Sequence, residues 1–240
     1  MLFQEESFNA PYTIFLVVMS IMGLILSFFF FVLPLMYKKF KRSKEKEESR
    51  TAFYYSFSNL MIAFMQIPIL IGLFDSLRAQ ENTYVYAAGI TFALLIEIIS
   101  ALFLFLFTNE TFNYKNRIKY FVFTIGGISI VLLIIFVGIL LQTQSQSPLH
   151  FMGLGFTALY LISVYFLMAL KFYNLYKKLD QKLAKIKAIF IGSALMVVFV
   201  LLLSIAGPFS AILIGKVLMI SGFVVLLIAV SWFFYGFILR

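Results

Sequence analysis

The chain has 240 residues, 63% hydrophobic and only 12% charged, with 19 Lys and Arg against 10 Asp and Glu and no cysteine. A soluble domain carries about 25% charged residues, so a water-soluble globular fold is excluded. The missing cysteines exclude disulfides, thiolate metal sites and thiol chemistry. The basic residues form no aromatic-interleaved platform, so no nucleic-acid partner is expected.

The apolar residues fall into seven runs, at about 12–36, 52–74, 85–107, 119–141, 151–172, 188–207 and 210–238. Each reaches the roughly 20 residues that a bilayer requires of a helix. Backbone in hydrocarbon is satisfied by helices or closed barrels, and continuous runs of this length mean helices. The expectation is an all-α membrane protein, a seven-transmembrane-helix bundle forming one domain over 1–240, lodged in a prokaryotic plasma membrane. Of the Lys and Arg residues, seven lie between the first two runs, three between the third and fourth, six around the fifth-to-sixth connection, and Arg240 follows the seventh. Positive charge accumulates on the cytoplasmic side, which places the N-terminus outside and the C-terminus in the cytoplasm. The same charges meet anionic lipid headgroups.

The first run is too long for a signal-peptide core, and Glu5 and Glu6 precede it, so it is read as a retained helix. Ser20, Gly23 and Ser27 give it a small-residue face suited to close contact, and Phe28 to Phe31 are read as lipid-facing bulk. The charge run 38–50 reads as a solvated helical extension; it also offers a contact for a cytoplasmic signalling protein. In the second run, Tyr55, Asn59 and Gln66 share a face with Ala63, and Pro68 removes one backbone donor.

The third run holds Glu97 near its middle, the only acidic residue inside an apolar run. An ionised group at that depth costs roughly 2.5–3.5 kcal/mol on insertion scales. Glu97 is therefore expected to be neutral or to face polar partners inside the bundle. Ala93, Glu97, Ser100 and Ala101 share one helical face. If that face meets the Asn59–Gln66 face of the second helix, the bundle has a polar centre.

Asn109-Glu-Thr111 matches a glycosylation pattern, but its expected cytoplasmic position makes it a chance match. The fourth run, with Gly126, Gly127 and Gly138, is read as a scaffold helix. In the fifth, Thr157 and Tyr160 share a face and add to the candidate interior. The segment 171–187 is amphipathic, with Leu175, Leu179 and Leu183 among lysines; it lies at the interface or extends the helix, and is the second candidate contact for a cytoplasmic partner. The single histidine, His150, sits at an outer helix end, which excludes a haem-binding helical core.

The seventh run contains Lys216 near its outer end. A lysine in helix seven and a carboxylate in helix three resemble the microbial rhodopsins, in which the lysine binds retinal. Lys216 lies about 12 Å outward of the run's midpoint at Val224, Ile212 stands where rhodopsins carry an acidic residue or serine, and Trp232 is the only tryptophan. A snorkelling lysine fits better, and Lys216 stays a remote cofactor-binding candidate.

The short outer loops, the basic inner loops and the texture of the last helix, from Ile220 to Ala229 and on through Phe234-Tyr-Gly-Phe237, resemble the seven-helix N-terminal modules of prokaryotic sensor histidine kinases and related archaeal membrane proteins. The resemblance implies a receptor-like or sensory module. Arg240 closes the sequence without a kinase domain, so the output is expected to pass to a separate protein. The alternative is a small transporter or proton-coupled carrier using Glu97, since intramembrane carboxylates serve proton relays. Enzymatic chemistry is not expected: there is no His cluster, no nucleophile–base pair and one intramembrane carboxylate. No cofactor or metal is assigned. The candidate ligand or proton site comprises Glu97, Asn59, Gln66, Ser100 and Tyr160.

Overall fold

A computed structural model describes residues 14–25, 28, 46–79, 83–143, 148–179, 184–206 and 213–238. Their regular structure is entirely helical: α1 (Ile14–Ile25), α2 (Lys46–Ala79), α3 (Thr83–Phe112), α4 (Asn116–Thr143), α5 (Pro148–Lys178), α6 (Ala184–Ala206) and α7 (Leu213–Ile238). Six of these, α2 to α7, are long and apolar enough to cross a membrane, and α1 is a shorter apolar helix. The chain is thus a multi-pass helical membrane protein. The expected inner-loop residues 38–45, Ser27, the turn Gly207-Pro208 and Arg240 lie outside the described residues, as do the side chains of Asn59 and His150.

The helices overrun the apolar runs, chiefly at the end where the basic residues gather. α2 begins at Lys46, inside the charge run, and α5 continues to Lys178. Segment 171–187 thus takes the helix-extending reading at both ends, with residues 180–183 outside the described residues. Its first part completes α5 and its last part opens α6, because lysine-rich sequence keeps good helix propensity after hydrophobicity ends.

Sequential helices pack as antiparallel neighbours. Gly89 of α3 meets Pro68 of α2, Gly126 of α4 meets Tyr160 of α5, and Gly192 of α6 meets Phe233 of α7. α3 also packs on α5 and α4, which makes it central. At the basic end Phe172 of α5 stacks on Phe107 with centroids 6.3 Å apart and meets Phe112 edge-on at 5.1 Å. α1 joins at the opposite end, where Leu16 and Val17 pack with Leu73 of α2 and against Met219 and Phe223 of α7.

Hydroxyls in hydrocarbon need partners, and most find one on their own helix. Thr91, Ser129, Thr157 and Ser193 each donate to the carbonyl four residues earlier, at 2.7–2.8 Å.

The α3–α4 connection is three residues, tighter than the loop expected from sequence. Asn113 takes φ 45°, its N–H donates to the Asn109 carbonyl at 2.8 Å, and the Asn109 side-chain oxygen accepts from the Tyr114 N–H at 3.2 Å. This is a left-handed helix cap, which glycine and asparagine tolerate and β-branched residues do not. Asn113→Gly is expected to leave stability within about 0.5 kcal/mol and Asn113→Val to cost about 1–2 kcal/mol, measured by unfolding in detergent.

Candidate functional site

Glu97 is the fifteenth residue of α3 and is 3% exposed. Its Oε1 accepts a hydrogen bond of 2.6 Å from the Tyr165 hydroxyl of α5. Its Oε2 is buried and has no partner. Tyr165 is fully buried and stands at the centre of the membrane span Met152–Lys178, so the pair forms deep in the apolar layer. A short bond between a carboxyl and a phenol there gains from the low dielectric, which equally raises the cost of the unpartnered oxygen.

Tyr160, one turn and a half earlier on α5, is 1% exposed. It donates a long 3.4 Å bond to the Ile98 carbonyl, beside Glu97. Gly126 of α4 makes room for its ring: a Cβ there would lie 2.8 Å from Tyr160 Cε2. Next to Glu97 on α3, about 60° around the helix, Ser100 pairs with Ser58 of α2. Their hydroxyl oxygens are 2.9 Å apart, and Ser100 also reaches the Ser58 carbonyl at 3.1 Å. α3 is thus tied by polar bonds to α2 and to α5 from adjacent faces.

The structure distributes the sequence candidates unequally. Glu97 and Tyr160 share the α3–α5 interface, Tyr160 approaching through the Ile98 carbonyl. Ser100 faces α2, but through Ser58. Gln66 is buried against Gly23 of α1, while the Glu97 face of α3 meets α2 through Ala93 and Ser100. Ala93 packs with Ile62 and Met65 there. Residue 66 lies about 100° around the helix from residue 65 and about 40° from residue 62, at the edge of the face that meets α3. A cysteine pair at 65 and 93 is therefore expected to crosslink in membranes under mild oxidation, and absence of crosslink would contradict this packing. Thr157 is satisfied within its own helix. Lys216 is the fourth residue of α7 and half-buried, at a depth different from that of Glu97, whose bonded partner is Tyr165. No group of three or more His, Cys, Asp or Glu able to hold a metal occurs among the described residues.

Sequence reasoning missed Tyr165 and Ser58. The fifth run, ended at residue 172, had its middle near Tyr160. The helix actually runs to Lys178, which moves the middle to Tyr165. Allowing basic residues to end a span by snorkelling was the signal that could have found it.

Comparison of the chain with protein-family models, with curated proteins and with solved structures finds no match.

Proposed function

We propose that the protein is a receptor-like sensory module of a prokaryotic plasma membrane, with its N-terminus outside and its C-terminus cytoplasmic, that passes a signal to a separate cytoplasmic protein. The observation that carries this reading is the Tyr165–Glu97 hydrogen bond on a continuous helix that extends to the basic residues at Lys178. A helix transmits displacement along its axis, and a bond that is either made or broken provides two states to bias. A signal that competes for the Tyr165 hydroxyl frees α5 from α3, and the shift arrives at Lys171–Lys187, where the partner docks. The charge run 38–50 is a second docking element.

Purification from native membranes in mild detergent, with mass spectrometry, tests this reading. The expected result is one stoichiometric cytoplasmic protein that is lost when exposed Lys178 and Lys187 are both changed to Glu. A preparation without a partner would contradict it.

The second reading is a proton-coupled carrier. It is favoured by the Oε2 of Glu97, a buried carboxyl oxygen with no partner. Glu97→Gln would then abolish pH-gradient-driven flux in proteoliposomes, and equal flux in both proteins would remove the carrier mechanism.

A further inference from the structure

Gln66 lies in the α2 span Phe53–Phe74, within one turn of its middle. It is 1% exposed, and neither its amide nitrogen nor its oxygen has a hydrogen-bond partner. An unsatisfied amide in hydrocarbon is costly at both ends. On α1, Gly23 faces it. A Cβ added there would sit 3.4 Å from Gln66 Cδ and 3.6 Å from Nε2. Those are ordinary contact distances, so a single Cβ at Gly23 would rest against the amide without displacing it, and a bound hydroxyl enters by parting the two helices. One turn along α1, Ser20 is fully buried and its hydroxyl also has no partner. Two facing helices therefore present three unpaired polar atoms. The wall that separates them from lipid is one helix, whose outer side shows Val18, Ile21, Met22 and Ile25.

We propose that the α1–α2 interface binds the hydroxyl of an apolar molecule entering from the bilayer, with long-chain alcohols as the ligand class. A hydroxyl donates one hydrogen bond and accepts two, which matches the oxygen and nitrogen of the amide together, with Ser20 as a further donor. An anionic head would bring an unpaired charge to this depth. Water carries the same hydroxyl chemistry. An alcohol also brings a chain that covers the apolar wall, as ligands do in apolar sites with few polar groups. The site is separate from the Glu97–Tyr165 pair and stands or falls without the sensor reading.

The test is photolabelling of the whole chain in lipid nanodiscs with a dodecanol-length alcohol carrying a diazirine. Saturable labelling is expected on α1 and α2. It should weaken at least tenfold in Gln66→Met, which lacks the amide, and in Gly23→Ser, whose own hydroxyl reaches the amide. Thr124→Ala, on the exposed side of α4, should label as the parent does. Labelling that does not saturate, maps elsewhere or ignores both substitutions overturns the proposal. Unfolding temperatures give a second readout. Gly23→Ser should raise the midpoint by a few degrees, and the gain should vanish in the Gln66→Met background. A gain that depends on Gln66 without any alcohol labelling shows an unpaired amide that takes no lipophile, and overturns the proposal. No gain at all overturns the hydroxyl site itself.

Discussion

Gly89→Leu is expected to abolish the folded protein, and Gly89→Ala to cost about 1–3 kcal/mol, the usual range for forced overpacking. A Cβ on Gly89 would land on the carbonyl oxygen of Pro68, with the Pro68 carbonyl carbon 3.3 Å away and Gly72 Cα at 3.7 Å. All three are backbone atoms, so no rotamer change can relieve the clash. The helices must separate instead, and in lipid close backbone approach is a main source of association. Separation reaches three turns along to the Ser58–Ser100 pair, which spans the same interface. Gly127 is the matched control: it is exposed and a Cβ there meets nothing within 4 Å, so Gly127→Ala should lie within about 0.5 kcal/mol of the parent. Unfolding in detergent and yield from membranes measure both. Equal stability of Gly89→Ala and Gly127→Ala would contradict the α2–α3 contact.

Tyr165→Phe is expected to cost about 1–3 kcal/mol, the penalty for leaving a buried polar group without its partner. The substitution removes the one donor to Glu97 and leaves both carboxyl oxygens unpaired. Glu97→Gln keeps an oxygen that accepts from Tyr165, so its cost should not exceed about 1 kcal/mol. The pairing is isolated by a double-mutant cycle with Glu97→Leu. In that background Tyr165→Phe should cost little beyond the phenol's own loss, and the two single effects should not add. Additive effects would show that the two side chains contribute independently.

The membrane class and the helical architecture were legible because hydrophobicity over about 20 residues is a large, local signal. α3 to α7 appear where the apolar runs lie, and their ends differ because lysines prolong helices past the hydrocarbon. Burial of Glu97 could be read from the cost of a carboxyl at that depth, and the structure finds it 3% exposed. Its partner could be read in depth, once the basic residues are allowed to end the α5 span, but not in rotation. Tyr165 and Tyr160 are both tyrosines deep in one run, and choosing between them needs the rotation of α5 about its axis, which an all-round apolar helix does not encode. Gln66 shows the same limit. Its burial was expected, but whether it faces α3 or α1 depends on which neighbour lies about 100° around the helix, and a nearly uniform apolar sequence leaves that open. Gly89 gave no polar signal at all, and its importance comes from the backbone opposite it.

Glu110 of α3 and Asn174 of α5 are exposed near the basic ends of the two helices, and spin labels there report whether the Glu97–Tyr165 bond holds α5 against α3. The direct measurement is pulsed electron paramagnetic resonance on that pair in nanodiscs, with and without Tyr165→Phe. A single narrow distance distribution is expected in the parent and a shifted or broadened one in the variant. An unchanged distribution in a variant that still folds would mean that the bond does not govern the position of α5, and would contradict the proposed route from the buried carboxyl to the basic surface.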